Sequence, residues 1–261
     1  MWEAILLGFV QGVTEWLPVS SEGVITAVHA FAFDNPVSDS VAFALWLHLG
    51  TVFSVLVALR SEIIDVVGDT LRSPMKPTRM AIYLVAATLV SGVVGFPLLL
   101  GIDELSGSIG AVAMGAVGVL MLVTGGLQLR GKGSGTRTRE DVTVLDAVIT
   151  GIAQGFAALP GLSRSGLTVS ALLARQVDRR EALVLSFLLS VPASLGAGLY
   201  AAIDSEIYTS SSAIVAVLVA AVVGFVTIRA LMNVAERVNF GLFVIVVGLS
   251  IIGGAVWQVL R

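Results

Sequence analysis

The sequence predicts an all-α integral membrane protein: six transmembrane helices plus two re-entrant helical hairpins, arranged as an inverted-topology repeat. Three observations lead there: a charge-poor composition, six uncharged stretches of spanning length, and two interrupted apolar regions that resemble each other. Of the 261 residues, 56% are hydrophobic and 13% charged, and the mean hydropathy is +0.97. Soluble domains average about 25% charged residues, so a water-soluble globular domain is excluded, as is disorder. A formal net charge of -3 leaves no basic surplus to neutralise a duplex, which excludes nucleic acid as a main partner. The absence of Cys removes disulfides, thiol nucleophiles and thiolate metal sites. His29 and His48 are too few for a histidine metal cage. Catalysis must rest on carboxylates, hydroxyls, Arg or an oxygen-bound cation. No basic stretch and cleavage site mark the beginning of the chain, so no removable signal peptide is expected.

A bilayer core needs roughly 20 apolar helical residues, and residues 40–59, 80–100, 105–129, 182–203, 207–228 and 238–260 supply them without a formal charge. Two other apolar regions, 4–33 and 147–174, break midway, at Glu15 to Gly23 (EWLPVSSEG) and at Pro160 to Gly166 (PGLSRSG). The stretch 147–159 reaches only about 20 Å as a helix, so each region is expected to enter the membrane, stop and turn back. Irregular backbone at that depth is tolerated only inside protein or along a wet cavity. Charge placement agrees. Arg60, Arg72, Lys76, Arg79, Arg130, Lys132, Arg137, Arg139, Arg175, Arg179, Arg180, Arg229 and Arg237 all fall on one side if region 147–174 is re-entrant, with Asp34, Asp39, Asp103, Glu104, Asp204 and Glu206 opposite. The basic side reads as cytoplasmic, which leaves both termini outside, with Arg261 as the one exception.

An offset of 143 aligns Gly8-Phe9-Val10-Gln11-Gly12 with Gly151-Ile152-Ala153-Gln154-Gly155, and Ser20-Ser21-Glu22-Gly23 with Ser163-Arg164-Ser165-Gly166; Pro18 and Pro160 fall one residue out of step. The chain is expected to form a single membrane domain over 1–261, with repeat one at about 1–130 and repeat two at about 144–261. Each copy carries a hairpin and three spans, and an odd number of spans inverts the second copy. The two broken hairpins then meet near the bilayer midplane, which is where the site is expected.

Gln11 and Glu15 lie one helical turn apart on one face, and an intramembrane carboxylate is a functional hypothesis by default. A structural ion pair of Glu15 with Arg164 is compatible with it. Ser20, Ser21, Ser163 and Ser165 stand at helix starts, where any one of them reads equally as an N-cap. Together they point further. A helix N-terminus attracts anions, Arg164 adds a bidentate fork, and Gly161 and Gly166 let backbone approach a ligand closely. Pro160 to Thr168 thus reads as a phosphate cradle inside the membrane, and a phosphate with reason to be there belongs to a lipid. Beside it Glu15 can activate Ser21 or water, or hold a cation that bridges phosphate oxygens. His48, inside a span, and His29 are expected to pack or hydrogen-bond in the interior. Trp2, Trp16, Trp46 and Trp257 read as interfacial anchors or core.

At these residues the sequence resembles the undecaprenyl-diphosphate phosphatase family, also called the bacitracin-resistance protein family, over nearly the whole chain. The first family motif, an acid or amide, then Glu four residues on, then Pro-x-Ser-Ser, stands here as Gln11 to Ser21; the second, Pro-Gly-x-Ser-Arg-Ser-Gly-x-Thr, is complete at Pro160 to Thr168. The resemblance implies a membrane hydrolase that removes the terminal phosphate of a polyprenyl diphosphate and regenerates the monophosphate carrier for envelope assembly. It implies Glu15, Ser21 and Arg164 as catalytic residues and a divalent cation, magnesium or calcium, with Glu15 as its ligand. Gln11, Ser20, Gly161, Ser163, Ser165, Gly166 and Thr168 would bind substrate. It further implies a site open to the outer face of the cell membrane, and a homodimer. One departure stands out: where members usually follow Ser-Ser with Thr-Gly-His, this chain has Glu22-Gly23-Val24. The inverted repeat leaves a rival reading, a transporter or flippase of a polyprenyl phosphate lipid. The hydroxyls beside Arg164 favour hydrolysis, and the missing His at position 24 slightly favours the rival.

Overall fold

In the computed structural model, the described residues are 1–17, 20–35, 37–101, 135–158, 162–204, 210–234 and 240–259, with positions 119, 122 and 126 in addition. Expectations for the span 105–129 and for Pro18, Pro160, Gly161, Asp103, Glu104, Arg130, Lys132, Glu206, Arg237 and Arg261 lie outside them, wholly or, for that span, almost wholly. The described elements are helical: α1 (Trp2–Thr14), α2 (Ser21–Ala27) continued by one wide turn over Val28–Ala32, α3 (Val37–Ala58), α4 (Arg60–Arg72), α5 (Arg79–Gly101), α6 (Val144–Phe156), α7 (Arg164–Ala174), α8 (Arg179–Asp204), α9 (Ser211–Val234) and α10 (Phe240–Val259). Stretches within α3, α5, α8 and α9 are long and apolar enough to cross a membrane: Asp39–Ala58, Arg79–Leu98, Arg179–Ala202 and Ser211–Asn233. They match four of the six expected spans. The 20-residue α10 coincides with the sixth and contains no charged side chain. Helices α1 and α6 have 13 residues each, about 20 Å at 1.5 Å per residue, too short to cross.

The outward faces show what surrounds the bundle. Val85, Leu89, Val93 and Phe96 on α5 and Leu218, Val222 and Val226 on α9 are all more than half exposed and recur at helical spacing. Stripes of this size on a single chain mark a lipid-facing surface. The interior is zoned. One apolar cluster gathers Val55, Tyr83, Leu172, Leu185, Phe187 and Leu189, a second gathers Leu7, Ile25, Phe43, Leu47 and Ala216, and the polar site lies where the two hairpins meet.

Close helix pairs fix the topology. A Cβ added at Gly8 would meet the Ala216 carbonyl oxygen, and one at Gly12 would sit 2.7 Å from both Gly224 N and Val223 Cβ. On the other side, a Cβ at Gly151 would sit 2.7 Å from the Ala87 oxygen, and one at Gly155 would sit 2.6 Å from Val94 Cβ and 3.1 Å from Gly95 N. Each short helix therefore presents a small-xxx-small ridge that lets two backbones touch. Helix α1 runs alongside α9 in the same direction, and α6 runs alongside α5 in the same direction. Helix α3 is parallel to α9, since Trp46 Nε1 donates to the Ala213 oxygen at 3.3 Å and Ser54 Oγ to the Ala221 oxygen at 2.8 Å. Helices α9 and α3 run toward the end of the bundle where α5 and α8 begin, so α1 and α6 begin at opposite ends of the bundle.

That shared end is basic and tightly tied. Asp146, fully buried at the start of α6, pairs with Arg137 at 2.6 Å and Arg175 at 2.6 Å, and its carboxylate also accepts from the Thr143 amide and hydroxyl. Arg139 bridges Glu62 at 3.5 Å and Glu181 at 3.0 Å, joining α4 to α8. Gln176, left-handed at φ 62°, closes α7 and offers its carbonyl to the Arg137 amide at 3.1 Å. Asp146→Ala strands two arginines that are 26% and 34% exposed. Because both keep partial access to water, the expected loss is about 2–4 kcal/mol, at the low end for a broken buried pair, read as a fall in thermal stability in detergent. The connection 60–79, left between the expected spans 40–59 and 80–100, is not loop throughout, because residues 60–72 form α4. No α4 residue is buried, Ile64, Val67 and Leu71 are exposed, and the helix has the charge-rimmed apolar stripe of one lying at a membrane surface.

Candidate active site

The first hairpin delivers Glu15 one turn past Gly12. Helix α1 ends there, and after residues 15–20 the chain restarts as α2, where Ser20 caps by accepting from the Gly23 amide at 3.1 Å. Ser21 follows the cap and its hydroxyl donates to Glu15 Oε2 at 2.7 Å. The second hairpin repeats this construction: Ser163 accepts from the Gly166 amide at 3.1 Å and caps α7, which begins at Arg164. The capping readings of Ser20 and Ser163 are thus correct locally. Ser163 does more, because its Oγ also lies 3.3 Å from the Leu17 carbonyl oxygen, to which Ser165 donates at 2.8 Å. A carbonyl released where α1 ends is satisfied by the opposite hairpin, and this locks the two breaks together.

The centre is the Glu15 carboxylate, only 5% exposed. Oε1 is paired with Arg164; Oε2 accepts from Ser21 and, at 3.1 Å, from Gln11 Nε2, and faces His48 Nε2 at 3.4 Å. A carboxylate this deep would be costly without partners, and here it has four. Arg164 also donates to the Ser186 carbonyl at 3.2 Å and lies over the Trp16 ring, 6.0 Å from its centroid. A guanidinium has five N–H donors, and among the described residues two acceptors occupy it. The fork therefore keeps donors for further oxygens, beside the positive end of the 11-residue α7.

The expected residues separate by position. Gln11, Glu15, Ser21 and Arg164 converge in one contact group, and Ser163 and Ser165 join it through Leu17. Thr168 does not line it: fully buried, its hydroxyl lies 2.6 Å from Ser186 Oγ and 2.9 Å from the Arg164 oxygen. That contact ties α7 to α8 and stiffens the cradle from behind. Gly166 serves the cap through its amide, and Gly161 lies outside the described residues. His29 keeps to its expected interior role, with Nδ1 3.0 Å from Ser40 Oγ and its ring stacked on Phe43. His48 is interior and hydrogen-bonded as well, but it also faces Glu15. The signal that could have drawn it in was its position inside an apolar span, where an ionisable side chain is by default functional. Nothing in the local pattern could point to the Ser186 carbonyl, which is contributed by backbone.

Chemically, the arrangement pairs a hydroxyl with a carboxylate acceptor and sets an incompletely used guanidinium against the same carboxylate. That suits attack on a phosphorus whose oxygens Arg164 holds. The chain matches the family model "Bacitracin resistance protein BacA" over residues 4–252. It is 38% identical over 258 residues to an undecaprenyl-diphosphatase of Methanococcoides burtonii, covering 94% of this chain and 95% of that one. It is 39% identical over 257 residues to an undecaprenyl-diphosphatase of Methanopyrus kandleri, covering 95% and 93%. To that of Haloarcula marismortui it is 37% identical over 259 residues, covering 96% of each.

Proposed function

The chain belongs to the bacitracin resistance protein family, and from that premise we propose how its site performs the undecaprenyl-diphosphatase reaction. The protein is a membrane hydrolase that removes the terminal phosphate of a polyprenyl diphosphate of the undecaprenyl type. The observation that carries the mechanism is the 2.7 Å hydrogen bond from Ser21 Oγ to Glu15 Oε2, opposite Arg164. Glu15 takes the hydroxyl proton as Ser21 Oγ bonds to the terminal phosphorus. The bond from that phosphorus to the bridging oxygen breaks, and the lipid monophosphate leaves. Glu15 passes that proton to the leaving oxygen and, a carboxylate again, takes one from water as the water oxygen bonds to the phosphorus; the Ser21 Oγ–phosphorus bond breaks, Glu15 returns the proton to Oγ, and phosphate is released. Arg164, with Ser163 and Ser165 beside it, holds the phosphate oxygens and stabilises the charge that develops on them.

A divalent cation fits this site through hard oxygens. Glu15 and the buried Gln11 Oε1, which has no hydrogen-bond partner among the described residues, would hold it. No group of three or more acidic, His or Cys side chains that could cage a metal is found among the described residues, so substrate oxygens would complete the shell, as is usual for magnesium. When bound, the cation neutralises diphosphate charge.

The architecture behind the reaction is six spans and two re-entrant hairpins in an inverted repeat. Its support is that exchanging the halves maps α1 against α9 onto α6 against α5. Gly8, Gly12, Ala216, Val219, Val223 and Gly224 then correspond to Gly151, Gly155, Ala87, Val90, Val94 and Gly95. The hairpins enter from opposite ends, and the basic end is placed in the cytoplasm with the first hairpin opening outward. The halves differ in one respect that favours a hydrolase over a carrier that alternates between faces. Asp146 is locked by two arginines, whereas its repeat counterpart Glu3 is exposed and has no ion pair among the described residues.

Phosphate release from a long-chain polyprenyl diphosphate by the purified protein, beside Ser21→Ala, tests the reading. Wild-type release, with a loss on the order of a thousandfold in the variant, is expected. A folded wild type that binds the lipid without releasing phosphate, yet moves it across vesicle membranes, would replace the hydrolase with the carrier.

A further inference from the structure

We infer that His48 is a positioning residue for Glu15, supplying from α3 an imidazole contact to the carboxylate that neither hairpin provides. This rests on the hydrolase reading above. The imidazole Nδ1 lies 2.9 Å from the Ala44 carbonyl oxygen one turn back on its own helix. The Ala44 carbonyl and the Glu15 carboxylate both only accept, so the ring bridges them with an N–H on each nitrogen, that of its charged form, and the Nδ1–H bond fixes its orientation. Nε2 is thereby turned to Glu15 Oε2 at 3.4 Å, the same oxygen that accepts from Ser21 and Gln11. The imidazole is 13% exposed, enclosed enough that its aim is set by packing.

Helix α3 is itself held rigidly where His48 sits. Gly50, two residues on, lets the α9 backbone close in, since a Cβ there would meet the Val217 oxygen. Trp46 and Ser54 bond to α9 carbonyls on either side. A ring on a rigid element, with one nitrogen tied to backbone, is the arrangement by which an outer residue orients a working carboxylate.

The contact has a specific job. Arg164 draws Oε1 toward the second hairpin. Unopposed, that pull rotates the carboxylate and carries Oε2 away from Ser21. His48 and Gln11 hold Oε2 from the other side, so the proton acceptor stays on the Ser21 hydroxyl while Arg164 engages phosphate. Val24, where members of the family usually have His, is exposed on α2 and offers no such donor, so the imidazole of this site comes from a different helix.

The test measures phosphate release and thermal stability for wild type, His48→Ala and His48→Gln. The Gln amide can place an N–H close to where Nε2 stood. His48→Ala is expected to lower kcat by about 10–100-fold, the usual scale for losing an orienting partner, with KM within about twofold because the phosphate-binding groups are untouched. His48→Gln is expected to recover about tenfold of that loss. The inference is overturned if His48→Ala keeps kcat within about twofold of wild type, if KM rises while kcat holds, or if both variants lose activity alike together with thermal stability, which would mark a packing role. An inactive wild type would overturn the hydrolase reading and this inference with it; an active wild type with an indifferent His48 overturns the inference alone.

Discussion

Arg164→Ala is expected to abolish phosphate release and to destabilise the protein in the same step. The guanidinium is the main counter-charge of a carboxylate that is 5% exposed, and removing one partner of a buried pair costs about 3–5 kcal/mol. His48, Ser21 and Gln11 remain on Glu15, which places the expected cost near the lower bound. Activity should fall by a factor on the order of a thousand or more, because the same side chain both binds phosphate and stabilises its developing charge. Glu15→Gln is expected to lose activity to a similar degree through loss of the proton acceptor. The double change Glu15→Gln with Arg164→Met separates the two effects. Replacing a buried pair by uncharged side chains of similar size is close to neutral, so thermal stability in detergent should return toward wild type while phosphate release stays absent. Stability that fell further in the double variant would mean that the pair is not the electrostatic unit described here.

How much of this was legible in the sequence depends on the range of each interaction. The breaks at Glu15 to Gly23 and at Pro160 to Gly166 announce themselves locally, through Pro, Gly and Ser interrupting apolar runs; α1 ends at Thr14 and α2 begins at Ser21, while α6 ends a few residues before the expected break, at Phe156, and α7 begins inside it, at Arg164. Glu15, Ser21 and Arg164 were legible because charge and hydroxyls inside apolar surroundings need a reason. His48 carried the same signal, and its interior, hydrogen-bonded place was legible, but its partner Glu15 was not, because that partner is 33 positions away and no periodicity encodes the distance. Helix α4 was hidden for a different reason. Its Glu62, Asp65, Asp69, Arg60 and Arg72 read as a polar loop, and only the exposed Ile64, Val67 and Leu71 reveal an amphipathic face. The glycines were seen as marks of a repeat, while their packing role needed the partner. The α5 to α9 correspondence runs at an offset of 129 rather than 143, since the connections in the two halves differ in length, and one global shift cannot align both.

Those glycines carry the second large effect. Gly12→Ala places a methyl 2.7 Å from Gly224 N and from Val223 Cβ, where neither the α9 backbone nor a β-branched stem can yield. Helix α1 must move outward by about 1 Å, and overpacking of this kind costs about 1–3 kcal/mol. Because Glu15 follows three residues later, the displacement reaches the carboxylate almost undiminished. A misplacement near 1 Å can cost about a hundredfold in rate, so the expected kcat loss is about that size. Gly155→Ala meets the equivalent obstruction, 2.6 Å from Val94 Cβ, and should cost similar stability. Its effect on rate should be smaller, because Arg164 lies nine positions on and is held independently by Ser186 and Glu15. Gly92→Ala and Gly196→Ala are the controls: a Cβ at either meets nothing within 4 Å, and replacing Gly by Ala within a helix favours it by about 1 kcal/mol. Thermal unfolding and phosphate release measured across the four variants should rank Gly12→Ala lowest in activity, Gly12→Ala and Gly155→Ala together lowest in stability, and both controls at or above wild type. Equal activity losses at Gly12 and Gly155 would show that the two hairpins transmit strain to the site alike, and that Glu15 is not positioned chiefly by the seat of α1 on α9.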